Sequence, residues 1–557
     1  DFLTTSVRNV PERHRSMRAV FESSWNLLGD EEQRIYRRLA VFRGGFALPA
    51  AGDIAGASLL TLSALVDKSL LTASGGRYEM HALLRQYAEE KLDAADERQA
   101  VLARHARYYA DFLRERGRQL SRVMTNSVYA EVMREIENIR AARQFMLDHG
   151  TEAELDAFLV PLYRLYDIRS DYKSGEQFFA QAAARLGAVP GGELGLTQAR
   201  ALLFQALCCE AIASYDLASA LAASVLPVFE RAGAAWETQL ALRCVGNVAY
   251  ATGHYLKARD YFERVCAILK DLDEPLALAP TLFRLSDIEA VLGDYARAKQ
   301  ILQESERVLR EDSGPQYLMR YLLTLGDVNF KLGMFEEAKV HFEQTLALTQ
   351  ELDARTTTAV ALVSLGRVAY AQGDFAQAAT LCQESIAICD EIRNRWGKAF
   401  ALMHLGRASA AQGDYALAKL HYRSALALSE AISGRWIMAA VLRCQGIANL
   451  HLGAHEEARL DLRRALETAR ETQAWPLVCD VLVAVAQLEA VAGDPVRAIR
   501  LADVVASSPY SEYETRHAAG QLLTSLAGDT PAAPPLSVEQ ALDQTLTSPE
   551  SLLFLRA

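Results

Sequence analysis

A period of 40 residues runs through most of this 557-residue chain, and it dictates how the chain can bury a core. Leucine recurs at Leu202, Leu242, Leu282, Leu322, Leu362, Leu402, Leu442 and Leu482. Alanine does the same at Ala218, Ala258, Ala298, Ala338, Ala378, Ala418, Ala458 and Ala498. Between them falls a turn position, Ala213 in the first copy and then Gly253, Gly293, Gly333, Gly373, Gly413, Gly453 and Gly493. Two residues later stands an aromatic (Tyr215, Tyr255, Tyr295, Phe335, Phe375, Tyr415), replaced by His455 and Pro495 in the last copies. Each unit therefore reads as a helix stopped by glycine, which takes the left-handed C-cap conformation cheaply. A short turn follows, often Gly-Asp, with the Asp placed to cap a second helix. The recurring Ala lets the two helices approach closely, and the recurring Leu fills the seam between units. One pair cannot cover its own apolar face, so stacking eight of them makes the core.

The arrangement Val245-Gly246…Ala258…Phe262 and Leu325-Gly326…Ala338…Phe342 resembles that of tetratricopeptide repeats. Those repeats are about 34 residues long, so the longer unit implies longer second helices or longer loops between units. In this it is similar to the solenoids of large bacterial regulators related to the maltose-operon activator. The resemblance implies an all-α fold with a right-handed α-solenoid over residues 196–505, closed by a helical cap and tail at 506–557.

Composition narrows the function. Ala, Leu, Arg and Glu dominate and favour helix, and the net charge of −11 argues against broad nucleic-acid binding. The eight cysteines (Cys208, Cys209, Cys244, Cys266, Cys382, Cys389, Cys444, Cys479) form no CxxC pair. They read as buried thiols in a reducing cytosol, so a cytoplasmic location is expected. No apolar run approaches the length that spans a bilayer and no signal peptide opens the chain, so no membrane role is expected. The first residue is Asp1, not Met, and the chain is expected to be part of something longer.

Residues 1–95 do not follow the repeat. Asp30-Glu31-Glu32 reads as a helix start, Arg43-Gly44-Gly45-Phe46 as a turn, and 48–55 and 58–66 as two short helices. Ser69-Leu70-Leu71-Thr72, the turn Ser74-Gly75-Gly76 and Arg77-Tyr78-Glu79-Met80 read as a β-hairpin, with a helix from about His81 to Leu92. Helices, a two-stranded wing and another helix make a winged-helix domain over 1–95. The helix before the wing carries Lys68 as its one base, too little for phosphate binding, so DNA contact through this chain is not expected.

Three strings carry a second resemblance: Arg37-Arg38-Leu39-Ala40-Val41-Phe42-Arg43-Gly44-Gly45-Phe46, Leu65-Val66-Asp67-Lys68-Ser69-Leu70-Leu71, and Tyr78-Glu79-Met80-His81-Ala82-Leu83-Leu84-Arg85-Gln86-Tyr87-Ala88. They resemble the winged-helix part of STAND signal-transduction ATPases, the class that includes apoptotic protease-activating factors and plant disease-resistance proteins. In that class a Met-His-Asp motif ends the wing and its histidine touches the β-phosphate of ADP. Met80-His81 matches its first two positions, and Ala82 replaces the Asp. The resemblance implies a nucleotide contact for His81 in the full-length protein; otherwise His81 caps the following helix. His105-Ala106-Arg107-Tyr108-Tyr109 and Glu135 to Ala142 resemble the helical connector of such regulators (residues 96–195), and Pro534–Leu546 their usual ending.

No Gly-x4-Gly-Lys-Ser/Thr loop is present; Gly397-Lys398 is followed by Ala399 and lacks the upstream Gly. No cofactor is expected in this chain, while ATP or ADP is expected in an upstream ATPase domain. Hydrolase, zincin and kinase signatures are also missing, so the chain is not read as an enzyme. His451 and His455 have metal-like spacing, but Gly453 lies between them, and no metal is expected. Glu336-Glu337 and Glu456-Glu457 sit at helix starts, where they favour the macrodipole.

What remains is the concave face. On the family pattern its inward positions are Arg243, Asn247, Tyr250, Arg320, Asp327, Phe330, Arg367, Tyr370, Phe400, Met403, Arg407 and Arg443. Arginines with aromatics between them suit an acidic peptide or protein tail, or they form an ordinary solvated face. Trp236, Trp396 and Trp436 share one repeat position, where they plug gaps between units or meet a ligand. The expected function is the sensor part of a STAND-type NTPase: an activating peptide, protein or small ligand binds the solenoid, and the winged helix relays it to the ATPase domain, with oligomerisation of the full-length protein on activation. The alternatives are a stand-alone scaffold for partner proteins and a DNA-binding transcription regulator acting through residues 60–71.

Overall fold

A computed structural model describes residues 12–122, 126–187, 194–309, 314–352, 354–526 and 536–547. Pro534 and Pro535 of the C-terminal string lie outside these. Two compact units emerge, Asp1–Ile212 and Ala213–Ala557, with the division inside the first helical pair of the repeat.

The first unit opens with α1 (Glu12–Asn26), α2 (Asp30–Leu39), β1 (Phe46–Ala47), α3 (Leu48–Ala55), α4 (Leu59–Asp67), β2 (Thr72–Ser74), β3 (Arg77–Glu79) and α5 (Ala82–Ala94). The expected hairpin is present, starting three residues later than read, with β2 and β3 antiparallel over Gly75-Gly76. The sequence reading missed a third strand: β1 pairs with β3, Phe46 opposite Tyr78, where a turn was expected. Two residues are too short to show alternation, so only the partner strand defines β1. The Phe42 and Phe46 rings stack at 4.4 Å, anchoring the sheet to the helices.

Next come α6 (Arg98–Arg122), α7 (Asn126–Arg134), α8 (Ile136–His149), α9 (Glu152–Arg169) and α10 (Tyr172–Leu186). Asn138 ties this segment to the 43–45 turn: its side-chain oxygen accepts from the Arg43 N–H at 2.7 Å and its amide donates to the Gly45 carbonyl at 3.1 Å. Arg77 of β3 pairs with Glu135 beside it.

The first copy of the repeat supplies α11 (Leu196–Ala211), which packs on α10 in the first unit, and α12 (Tyr215–Ala232), which opens the second; the pairs are then α13 (Ala235–Ala251) with α14 (Tyr255–Asp271), α15 (Pro275–Leu292) with α16 (Tyr295–Val308), and α17 (Pro315–Lys331) with α18 (Phe335–Leu352). The remaining pairs are α19 (Arg355–Ala371) with α20 (Phe375–Glu391), α21 (Arg395–Ala411) with α22 (Tyr415–Ala431), α23 (Arg435–His451) with α24 (His455–Thr472), and α25 (Trp475–Ala492) with α26 (Pro495–Ser507). Then follow α27 (Tyr513–Ser525) and α28 (Val538–Thr547). The fold is all-α apart from the small sheet. The additional residues per unit lengthen both helices, to 17 residues each in α19 and α20, not only the second helices or the loops.

The period acts as its chemistry requires. All eight recurring alanines are buried at the helix–helix contact. Asp294, Asp374, Asp414 and Asp494 cap their second helices through the side chain. Gly326 lets α18 close in: a Cβ there would lie 2.5 Å from the fully buried Phe342 ring. By length and composition α25, at mean hydropathy 1.6, is apolar enough to cross a membrane, which corrects the expectation that no such run exists. It packs against α15, α23, α24, α26, α27 and α28, and 67% of it is buried, which its all-round apolar surface requires.

Candidate functional site

The first helices of successive pairs bring most of the expected inward residues together: a cation on one first helix reaches a neighbouring one, backward for Arg284, Arg320, Arg367 and Arg407 and forward for Arg443. Arg284 lies over the Tyr250 ring at 4.6 Å, and Arg320 pairs with Asp287. Arg367 lies over Phe330 at 4.2 Å and meets Asp327 at 2.7 Å. Arg407 covers Tyr370 at 4.4 Å, and Arg443 approaches Asp480 at 3.9 Å. Each is a charge-assisted or cation–π contact between repeats. The Arg367, Arg443 and Arg407 side chains are 11%, 17% and 20% exposed, so they form a packed wall and not a freely solvated face.

The electrostatics follow from that burial. Burial pushes the Asp327 carboxyl up, but Lys331 and Arg367 outweigh it and hold the group below the usual range. Burial pulls Lys331 and Arg407 down, and the carboxylates of Glu512 and Asp327 for the first, and of Glu514 for the second, hold them above their ordinary values. His404 lies among Arg367, Arg407 and Arg443; burial and then these charges keep it neutral, and its Nε2 has no hydrogen-bond partner among the described residues.

A second cluster joins α21 to α23. Trp396 stacks on Phe400 at 5.3 Å, and Phe400 contacts His404 at 4.7 Å and Trp436 at 6.3 Å. Trp396 remains 47% exposed and Trp236 38%. Met403 does not join the face and is core. The Nε of Arg243 is buried without a hydrogen-bond partner among the described residues, and Asn247 is half-buried on α13.

Sequence reasoning missed Lys331, Arg284, Asp287, His404, Asp480 and the Tyr510–Glu514 stretch. Arg284 sits one residue off an inward position, and helical rotation brings it in. The Tyr-Ser-Glu-Tyr-Glu composition just beyond the last repeat was the one signal for the stretch.

In the first unit His81 is exposed and caps α5, its Nδ1 accepting from the Leu83 N–H at 3.3 Å. Lys68 is bonded to Glu32 at 2.7 Å. Among the described residues no group of three or more His, Cys, Asp or Glu is placed to hold a metal. All eight cysteines are free and buried.

The MalT-like TPR region model matches residues 201–392, and a tetratricopeptide repeat model matches 357–431. Over 178 residues, 29% of this chain, the sequence is 35% identical to a Mycobacterium tuberculosis protein named "Putative HTH-type transcriptional regulator". The chain spans about a fifth to a quarter of the length of the curated relatives it matches, 20% for this one. Among solved structures, a STAND protein with a tetratricopeptide repeat sensor from Pyrococcus horikoshii superposes with a TM-score of 0.39 at 13% identity, over 94% of this chain and 69% of that one. The apo quorum sensor NprR of B. thuringiensis gives 0.47 at 12% identity, over 64% and 97%.

Proposed function

We propose that this chain is the ligand-sensing and regulatory part of a larger STAND-type NTPase that controls transcription, with a peptide or protein ligand bound on the concave face. The observation that carries the reading is the wall of arginines, four of them laid on an aromatic ring or carboxylate of the preceding repeat, which begins within the segment matching the MalT-like TPR region and runs past its end. A ligand bridging several first helices gains contacts in only one curvature of the stack, so its binding shifts the population of conformers. The names of the mycobacterial relatives favour transcription as the output.

In this reading residues 1–95 form the winged-helix domain, 96–195 the connector, 196–505 the sensor solenoid and 506–557 its cap and tail. Helices α2–α5 with the β2–β3 hairpin support the first assignment. The protein is cytoplasmic and oligomerises when active. His81, at the start of α5, contacts the β-phosphate of ADP held by an ATPase domain that precedes Asp1. The Lys68–Glu32 ion pair speaks against α4 as a DNA-reading helix.

The test is His81→Ala in the full-length natural protein, purified with its nucleotide. Loss of retained ADP and a raised basal activity are expected. An unchanged ADP-bound resting state rejects the relay through His81. The intact mass of the natural protein comes first: a mass well above that of this chain is required, and one equal to it leaves a stand-alone repeat scaffold.

A further inference from the structure

The stretch that follows α26 belongs to no repeat, yet four repeat pairs reach it. The Tyr295 hydroxyl donates to the Tyr510 carbonyl at 3.4 Å. Lys331 meets Glu512 at 3.2 Å and Arg407 meets Glu514 at 3.3 Å. Thr515 donates to Asp480. Only a path along the inside of the curve touches α16, α17, α21 and α25 within six residues.

The two tyrosines are seated in the turns between paired helices. A Cβ at Gly293 would lie 3.0 Å from the Tyr510 ring, and one at Gly333 would lie 2.5 Å from the Tyr513 ring. At the same repeat position a Cβ at Gly253 would meet Thr472 of α24 at 2.7 Å, while at Gly373, Gly413, Gly453 and Gly493 it would meet nothing within 4 Å. Tyr510 also stacks on Trp475 at 5.9 Å, and Tyr513 meets Phe335 edge-on at 5.6 Å. Turns three and four therefore differ from their equivalents in accepting a tyrosine.

Charge points the same way. The wall cations Arg284, Arg320, Lys331, Arg367, Arg407 and Arg443 face the wall carboxylates Asp287, Asp327 and Asp480. Glu512 and Glu514 supply two more negative charges where the wall's own are outnumbered.

We propose that Tyr510–Glu514 is a built-in occupant of the ligand groove, and that the external ligand is an acidic, tyrosine-bearing peptide segment of a partner protein that displaces it. This rests on the concave face being the ligand site. The occupant is tethered, so it acts at an effective concentration in the millimolar range, and an external peptide loses affinity by the fraction of time the groove is filled. The Glu514 and Glu512 carboxylates keep 29% and 21% exposure, so water reaches both pairs from the side of the docked stretch, while their cations stay in the wall. A neutral peptide leaves Arg407 without the carboxylate of Glu514 and Lys331 with Asp327 alone, and is rejected.

The experiment uses the whole 557-residue chain and a fluorescein-labelled peptide with the sequence of residues 507–517. Anisotropy should show at least tenfold tighter binding to the Glu512→Gln/Glu514→Gln chain than to wild type. Adding Lys331→Glu and Arg407→Glu should abolish it, and a peptide with both Glu replaced by Gln should not bind. Equal binding to the wild-type and double-variant chains overturns the built-in occupant while leaving the groove a ligand site. Binding to neither chain overturns the acidic-tyrosine ligand class; the His81→Ala outcome is independent of both. Should the double variant unfold, Tyr513→Ala replaces it: hydrogen exchange of residues 510–517 should accelerate at least tenfold with the repeats unchanged, and unaltered protection there overturns the proposal.

Discussion

Gly326→Ala and Gly520→Ala are the same chemical change at two helical sites, and the structure predicts opposite signs for them. In a helix interior alanine is favoured over glycine by about 1 kcal/mol, because glycine loses more backbone entropy on folding. At Gly520 in α27 the new methyl meets nothing within 4 Å, so this gain is realised, about 0.5–1 kcal/mol of stabilisation. At Gly326 in α17 the methyl lies 2.5, 2.8 and 3.1 Å from three atoms of the Phe342 ring. That ring is fully buried among Leu323, Phe330, Ala338 and Val368 and has no empty space to enter. Overpacking of this kind costs about 1–3 kcal/mol, and the 2.5 Å approach to a buried ring places it toward the upper end, so it exceeds the propensity gain and leaves a net loss of up to about 2 kcal/mol. A repeat array need not unfold as one unit. Urea unfolding should therefore be paired with hydrogen exchange read separately in α17–α18 and in α27. The reasoning is refuted if the two variants shift stability in the same direction, or if Gly326→Ala protects the α17–α18 amides.

Burial pushes the Cys208, Cys266 and Cys382 thiols up to about 12 and Cys479 up to about 11. Ellman's reagent at pH 8 should therefore leave the native protein unmodified and titrate all eight cysteines after unfolding; a thiol reacting within minutes in the native chain contradicts the packing. His105, buried between Phe42 and Tyr109, is held down to about 4 by burial, whereas an unfolded histidine titrates near 6.5. The unfolded state then binds more protons between those values, so the first unit should lose up to about 3 kcal/mol as pH falls through that window. His105→Leu should flatten this slope, and an unchanged slope in the variant dismisses the assignment. Arg367→Gln removes the cation shared by Asp327 and Phe330 but leaves Lys331 at 3.9 Å from the carboxylate, so a loss of about 1–2 kcal/mol is expected. A double-mutant cycle with Asp327→Asn should give a coupling of at least about 0.5 kcal/mol, and strict additivity would remove the pair from the wall.

The repeat was legible because its signals are local. A glycine stop, an Asp cap and an apolar period all act within one helical pair, so Asp294 and Asp374 cap as expected and the recurring alanines are buried. The inward set was legible in part for the same reason: Asp327, Phe330, Arg367, Tyr370 and Arg407 share positions on first helices, and the structure gathers them on one wall. Met403 failed although it holds the same repeat position as Arg443, because its apolar side chain packs into the core, and Arg284 entered from the adjacent position, about 100° further round the helix. β1 was illegible because two residues carry no pattern without the strand they pair with.

The pairing of Lys331 with Glu512 and of Arg407 with Glu514 lies beyond any local signal, since the partners are separated by more than two repeats in the chain. By itself the sequence determined that helices form, where they stop and that they must stack. Which repeats face one another across the groove depends on the small rotation at each stacked interface, accumulated along the array. Only the tertiary structure decided that sum, and with it the placement of Tyr510–Glu514 against the arginine wall.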